Sequence, residues 1–428
     1  MKEDRCYSLP LQKGTRKLTL DTLNNHSEFR FTKRPYLLIR MKSVSFKNEV
    51  WTLSIILDHE KEEFVYIRVL QIELKISCSV DTDQTYLSRY SYFAMYNLTY
   101  VSGYFDFTKY YWPDFFDMKT GRSKYLDIII DRAGTEIKVK PKYSSFYKPG
   151  QKLIFPFKDL NTELPLKETT QNETINQMNW FAIGYCLADT GMISNHSCHL
   201  PFLVCYSGIW KESWQEIKGF DQFILNNKDE LVFDFTPIQC ELNALSREMI
   251  AIAPVKSPPH KSALNEQDAV RRENVRGMQQ MYDLWRKAVP LLHSQQFTHF
   301  LYTYGMRNVK GKPTKKYMIP CKFSTLVPKL CFLFINKGEY FQLEMRLKVE
   351  GKSHMPHISN PTFFIHSANE PNKLYLLDSI TDYQVSRFFA KNEYRLSILK
   401  CHYQTHFKPF INRLAAIYEV KFKGINKF

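Results

Sequence analysis

Short apolar runs separated by polar turns dominate the first third of the chain. Residues 36–40, 51–57, 64–70 and 73–80 are rich in β-branched and aromatic side chains, and the last run alternates apolar with polar positions. Alternation with a period of two is typical of strands. Over residues 85–99 the apolar positions recur near helical spacing instead, so a helix is predicted there.

The rest of the chain mixes strand-like and helical patterns. The predicted strands cover residues 125–131, 136–140, 180–186, 200–206, 230–235, 362–365 and 374–377. The clearest predicted hairpin covers residues 330–349, with a glycine in its turn. The predicted helices cover about 238–252, 265–293, 380–390 and 402–418.

Two breaker-rich segments divide this pattern into regions. Residues 158–177 are polar and irregular, and the stretch 254–260 is rich in proline. The predicted regions are an irregular lead-in at 1–27, a β-rich region at 28–157, a β region with two helices at 178–293, and an α+β domain at 297–428. The predicted fold class is therefore α+β: β-rich and multidomain, with a two-helix segment in the middle and a C-terminal sheet closed by a helix.

The formal net charge of +16 is distributed unevenly. Residues 271–322 hold eleven Lys and Arg against two acidic residues, and residues 387–428 hold nine against two. Clustered positive charge favours a polyanionic partner, with DNA or RNA first, an anionic membrane second and an acidic protein third. A basic surface that serves only solubility is the alternative.

The cysteines and the hydropathy of the chain indicate the cellular compartment of the protein. The nine cysteines are scattered and odd in number, and several lie in apolar runs. The first residues lack the apolar core of a signal peptide, and no stretch reaches the ~20 consecutive apolar residues of a membrane helix. We therefore expect a cytoplasmic protein with reduced thiols that does not enter a membrane.

The basic segment at residues 297–323 is the sharpest functional signal. It begins as an aromatic strand-like run, breaks at Gly305 and contains no acidic residue. Its cations are Arg307, Lys310, Lys312, Lys315, Lys316 and Lys322. We expect all six to belong to a nucleic-acid-binding surface, with the first five contacting phosphates and Tyr304 and Tyr317 as stacking groups. The alternative is that the aromatic residues of the strand point into a core and the lysines are merely solvated.

The chain contains none of the common catalytic or metal-binding motifs. The chain has no phosphate-binding loop, no dinucleotide fingerprint, no nucleophile elbow and no His-Glu-x-x-His. The metal-like set is Cys186, His196, Cys198, His199 and Cys205. Its spacing lacks the tight Cys pairs of structural zinc sites, so loop polarity with buried thiols is favoured. We predict no catalytic residue, no bound metal and no cofactor.

Two parts of the chain carry a resemblance to a known family. They contain the segments Ser77-Cys-Ser-Val80 and Ser88-Arg-Tyr90, the phrase Tyr304-Gly-Met-Arg-Asn-Val-Lys-Gly-Lys-Pro313, and the run from Tyr375 to Phe389. Through them, residues 74–98 and 303–418 resemble the non-catalytic N-terminal region of Bacteroidetes-type Swi/Snf helicases. In that family a β-rich region with a SWIM-type zinc motif precedes the ATPase motor.

The SWIM pattern is incomplete in this sequence. The family motif is Cys-x-Cys, a spacer, and Cys-x-His leading into a short helix. Here Cys78 keeps the first ligand position, while Val80, Ser88 and Tyr90 occupy the other three. The resemblance implies a degenerate motif that holds no zinc. Because no ATPase motif occurs in the chain, it implies no helicase activity for any residue here.

The leading functional expectation is a non-enzymatic nucleic-acid-binding accessory module that resembles the front half of a Swi/Snf-type helicase. A separate ATPase motor protein is then an expected partner. The alternative is a protein-interaction scaffold that docks on such a motor or on another acidic partner. An enzyme with a site assembled from distant residues is the least favoured reading.

Overall fold

The computed structural model describes most of the chain. The described residues are 5–27, 38–80, 84–131, 134–151, 153, 181–189, 201–211, 216–230, 232–254, 264–302, 309–356, 362–366, 370 and 372–424. Their strands outnumber their helices and form several sheets, which confirms the β-rich α+β fold class. The chain divides into two compact units, each built from three segments.

Unit 1 comprises Met1–Leu153, Lys337–Phe341 and Leu396–Ile411. The strands in its first segment are β1 (Tyr7–Pro10), β2 (Lys17–Thr19), β3 (Ile39–Lys47), β4 (Val50–Leu57), β5 (Glu63–Val69), β6 (Glu73–Cys78), β7 (Tyr104–Asp106), β8 (Leu126–Asp131) and β9 (Gly134–Val139). Its helices there are α1 (Leu20–Asn25), α2 (Arg89–Thr99) and the 3₁₀ turn Phe107–Tyr110.

The main sheet of unit 1 is antiparallel, in the order β1-β6-β5-β4-β3. Asn48 and Glu49 both have positive φ, as the two-residue turn between β3 and β4 requires. The apolar face of the sheet packs on α2, and Trp51 stacks on Tyr110 with ring centroids 3.9 Å apart. Aromatic burial of this kind accounts for much of the high aromatic content.

Unit 2 comprises Ile154–Asn336, Gln342–Arg395 and Asn412–Phe428. The strands of its first segment are β10 (Phe181–Asp189), β11 (Phe202–Trp210), β12 (Ile217–Ile224), β13 (Thr298–Tyr302), β14 (Met318–Pro320), β15 (Lys322–Ser324) and β16 (Lys329–Asn336). Its helices there are α3 (Asn227–Glu230), α4 (Pro237–Ile252), α5 (Leu264–His293) and the 3₁₀ turn Lys315–Tyr317.

The remaining elements follow residue 336. The strands are β17 (Tyr340–Val349), β18 (Lys352–His354), β19 (Phe364–His366), β20 (Lys373–Leu376), β21 (Arg395–Leu399) and β22 (Glu419–Lys423). The helices are α6 (Ile380–Ala390), α7 (Lys400–His402), the π-helix Tyr403–Phe407 and α8 (Lys408–Ala415). These bounds confirm the helix predicted at 380–390 and the hairpin predicted at 330–349.

A mixed sheet in the order β12-β11-β10-β13-β14 forms the centre of unit 2. Strand β10 pairs antiparallel with β11 and parallel with β13. Helix α4 lies on β11, where the hydroxyl of Ser246 donates to the carbonyl of Leu203 at 2.9 Å. Helix α5 is tied to the same unit by Trp285, whose indole donates to the carbonyl of Pro201 at 2.7 Å.

The structure corrects three local predictions. The lead-in at 1–27 contains β1, β2 and α1, because β1 gains its partner from β6, more than sixty residues away. The strand predicted at 230–235 is not one, and β12 was missed because glycine and polar residues interrupt its pattern. The helix predicted at 402–418 is broken into α7, a π-helix and α8, since Pro409 removes a backbone donor from a continuous helix.

The predicted regions also differ from the two units. The boundary placed between 178–293 and 297–428 runs through one sheet, because β13 pairs with β10. After residue 336 the chain instead enters unit 1 twice and returns to unit 2 each time. Within the described helices, none combines the length and the apolar composition needed to cross a bilayer.

Candidate nucleic-acid interface

The basic segment supplies strands β13 and β14 of the mixed sheet of unit 2 and also contacts β12 at the other end of the strand order. Its first part is strand β13, and residues 303–308 fall outside the described residues. The chain is then fastened to β12, where the amide of Phe223 donates to the carbonyl of Gly311 at 3.0 Å. Gly311 has a φ of +72°, which suits glycine at this turn. The following 3₁₀ turn leads into β14, so the lysines are held at a sheet edge.

The structure shows where most of the predicted site residues lie. Tyr317 is 42% exposed, and the ammonium of Lys316 lies 4.7 Å from the centroid of its ring. The five predicted lysines are all exposed: Lys310, Lys312, Lys315, Lys316 and Lys322. No ion pair joins any of these five to an acidic group in the described part of the chain. Arg307 and Tyr304 lie outside that part.

Two of these lysines border a cleft of about 640 Å³ within unit 2. Lys315 comes from the 3₁₀ turn and Lys322 from β15. The cleft is further lined by Lys211, Glu216, Ile217, Phe220, Gln296, Phe297, Thr298, His299, Met318, Pro320, Cys321, Glu370, Asn372 and Lys373. A space of this size is within the range of pockets that hold small organic ligands.

Two of the lysines that line the cleft are paired with acidic residues, and two are not. Lys211 forms an ion pair with Glu216, and Lys373 lies 3.6 Å from Glu370. Hydrogen bonding from Lys211 lowers the pKa of the Glu216 carboxyl, which is ionised at neutral pH. The two acids thus balance two of the four lining lysines. Four lysines against two acids leave the cleft with a net positive charge, and Lys315 also contributes to the lowered pKa of Glu216.

The floor of the cleft is polar but uncharged. His299 is 7% exposed, and its Nδ1 lies 2.6 Å from the hydroxyl of Tyr206. Burial lowers the pKa of His299 to about 4 and raises that of Tyr206 well above its usual value. A neutral phenol can therefore donate to a neutral imidazole that is protonated at Nε2. Burial also raises the pKa of the Cys321 thiol to about 12, so this cysteine is a poor nucleophile at neutral pH.

The residues that complete the cleft were missed in the sequence because they come from distant segments. Lys211, Phe220 and Lys373 stand outside the basic segment and belong to no local charge cluster. Only the pairing of β10 with β13 and of β15 with β20 brings them to Lys315 and Lys322. No pattern of local composition identifies such neighbours.

The metal-like cysteines and histidines do not converge in the described residues. Cys186 lies opposite Val204, whereas Cys205 lies opposite Tyr185 in the same antiparallel pair. Because successive side chains of a strand point to opposite faces, the two thiols project from opposite sides of the sheet. His196, Cys198 and His199 lie outside the described residues.

The positions aligned with the SWIM motif serve structural roles. Cys78 is buried at the end of β6, and Val80 is 38% exposed. Ser88 caps α2 by accepting from the amide of Ser91 at 3.3 Å, which explains why the helix begins there. The hydroxyl of Tyr90 donates to Glu60 at 2.6 Å. These four positions offer a single thiol as a zinc ligand.

Comparisons with protein-family models, with curated proteins and with solved structures found no match for this chain. The chemistry of the cleft therefore rests on its own geometry. That geometry combines unbalanced lysines, a neutral hydrogen-bonding floor and aromatic walls, with Phe220 and Phe297 among the lining residues.

Proposed function

We propose that this protein is a non-enzymatic accessory module that binds nucleic acid through the basic cleft of unit 2. The cleft and its flanking loop are here defined by Lys310, Lys312, Lys315, Lys316 and Lys322. The observation that supports the proposal most directly is that these five exposed lysines form no ion pair with an acidic group in the described residues. Repulsion among such cations is relieved when phosphates lie against them.

The shape and polarity of the cleft support the same partner. Phosphates would meet Lys315 and Lys322 at the rim, while a base would enter between aromatic residues towards His299. The Nε2–H of the uncharged His299 imidazole can donate to an acceptor on a base edge without adding charge. Aromatic walls suit bases because every base has a π-face on which a ring can stack.

The proposed partner and the proposed compartment rest on the resemblance to Swi/Snf helicases and on the state of the cysteines. We propose that the module serves an ATPase motor carried by another chain, as the Swi/Snf-like segments imply. We also propose a cytoplasmic location. None of the eight described cysteines is in a disulfide and six of them are buried, as expected in a reducing compartment.

The salt dependence of binding tests the proposal. Fluorescence anisotropy would measure the affinity of the full chain for labelled single-stranded DNA, duplex DNA and RNA between about 50 and 300 mM salt. We expect log K to fall linearly with log salt concentration, because phosphate contacts release counterions. The variant Lys312→Ala/Lys315→Ala should flatten that slope by roughly 0.7–0.9 for each contact removed.

A matched control separates the cleft from the overall charge. Lys13 and Lys119 are exposed lysines of unit 1, and the variant Lys13→Ala/Lys119→Ala removes the same total charge. We expect this variant to keep the wild-type slope. Absent or salt-insensitive binding would refute the proposal, and so would an equal loss of slope in both double variants.

A further inference from the structure

A cluster of potential metal ligands lies in unit 1 and shares no residue with the basic cleft of unit 2. One ligand atom each of Asp114, Cys401 and His402 lies within 4.8 Å of the others. The Nε2 atom of His402 is 2.8 Å from Oδ2 of Asp114. From this convergence we infer that Asp114, Cys401 and His402 form a binding site for Zn²⁺.

The ligand types select the metal. A thiolate sulfur, an imidazole nitrogen and a carboxylate oxygen are the three donors that zinc uses in proteins. Zinc bonds of about 2.0–2.3 Å in a tetrahedral site bring ligand atoms to separations somewhat shorter than the present upper limit. Asp114 and Cys401 are exposed, so their side chains can rotate to reach those separations when zinc binds.

His402 has an unsatisfied nitrogen. Its side chain is 4% exposed, and Nδ1 is buried without a hydrogen-bond partner in the structure. The other nitrogen, Nε2, lies beside Asp114, so it is the atom that would bind a metal shared with that carboxylate. Nδ1 points away from this position, and its missing partner does not itself mark the metal site.

The backbone around the cluster is held in uncommon conformations. Asp114 has a φ of +64°, in the left-handed region, and its amide donates to Oε1 of Glu49 at 2.7 Å. A π-helix, Tyr403–Phe407, begins directly after His402. Strained residues and π-helical turns occur preferentially at functional sites, where they aim side chains. Both features fix the direction of the proposed ligands.

The site has room for a fourth ligand. Asp114 and Cys401 border a cavity of about 630 Å³ in unit 1, which polar side chains such as Arg122 and Lys124 also line. Three protein ligands with an open position facing a cavity are typical of zinc that binds water or a substrate. A structural zinc site would instead be closed by four protein ligands.

Metal titration of the full chain tests the inference. After treatment with a chelator, the protein would be titrated with Zn²⁺ against a chromophoric competitor, and separately with Co²⁺. We expect one zinc per chain and a near-ultraviolet charge-transfer band from cobalt bound to a thiolate. Cys401→Ser should abolish that band, and Asp114→Asn should weaken zinc binding by about tenfold or more.

The variants are chosen to preserve the fold. Both side chains are exposed, and asparagine tolerates the left-handed conformation of position 114. Circular dichroism would verify folding. Cys240 is another exposed free cysteine, in unit 2, so Cys240→Ser is the matched control and should leave zinc binding unchanged.

Three results would overturn the inference. They are the lack of stoichiometric zinc binding by the wild type, unchanged binding in Cys401→Ser, and loss of zinc in Cys186→Ser with retention in Cys401→Ser. The last result would assign the metal to the other set of cysteines and histidines. None of them bears on nucleic-acid binding, which involves different residues.

Discussion

Gly184 in β10 is the position where a single methyl group should damage the floor of the cleft. Tyr206 on β11 lies opposite Gly184, and its ring reaches across β10 to hydrogen-bond His299 on β13. A Cβ atom at position 184 would overlap the phenol of Tyr206 and lie 2.9 Å from the carbonyl oxygen of Phe297. The ring can follow this path only because residue 184 has no side chain.

The expected cost of Gly184→Ala follows from two effects. Forcing an extra carbon into a packed interior costs about 1–3 kcal/mol. Displacing the phenol also breaks the contact with His299, and leaving a buried polar group unsatisfied costs about 1–3 kcal/mol. Because the two effects share one movement of Tyr206, we expect the free energy of unfolding to fall by about 2–5 kcal/mol in total.

Urea denaturation followed by circular dichroism would measure this change. Gly219 in β12 is the matched control, because it is a strand glycine of the same sheet whose added Cβ would meet no atom within 4 Å. Gly219→Ala should change stability by less than about 1 kcal/mol, since alanine mainly restricts the unfolded chain. If folded Gly184→Ala protein is obtained, the salt slope of nucleic-acid binding should be unchanged because every lysine is retained.

The comparison between the two glycine variants can contradict the reasoning. If Gly184→Ala and Gly219→Ala have free energies of unfolding within about 0.5 kcal/mol of each other, the ring of Tyr206 moves without cost. The coupling of β11 to β13 through the hydrogen bond to His299 would then be of no structural importance.

Two further predictions concern proton binding and helix capping. Burial, followed by repulsion from Arg16, lowers the pKa of Lys148 to about 7, so the unfolded chain binds more protons above that pH. The free energy of unfolding should therefore rise by about 2 kcal/mol from pH 7 to 9. Urea denaturation at the two pH values would measure this rise. The rise should be absent in Lys148→Met and present in the control variant Lys142→Met. Thr236 and Gln239 form a capping box at the start of α4, so Thr236→Ala should lower the free energy of unfolding by about 1 kcal/mol; an unchanged denaturation midpoint would contradict this.

The elements that could be predicted from the sequence are those specified by their own residues. Helix α4 begins at its capping box, and α6 begins after the side-chain cap of Ser379. The alternating strands β4 to β6 form antiparallel neighbours in chain order. Strand β1 was missed because its four residues become a strand only by pairing with β6.

Domain limits were harder to predict because proximity in sequence differs from proximity in the fold. In the sequence, the segment near residue 295 resembles a domain boundary, because helix α5 ends at His293 and a new β-rich pattern begins. Strand β13 nevertheless completes the sheet of β10, which lies more than a hundred residues earlier. Parallel pairing of this kind leaves no trace in local composition.

The structure also changes what the charge of the basic segment means. Counting residues gives six cations, but the charge that a ligand meets depends on the neighbours of each one. Lys211 and Lys373 are cations of the cleft that the segment does not contain, and Glu216 and Glu370 balance them. Lys315 and Lys322 are in the segment and form no ion pair among the described residues, although Lys315 contributes to the lowered pKa of Glu216. The salt slope should therefore depend most on lysines such as Lys322, and removing Lys211 or Lys373 should affect it less than removing Lys322.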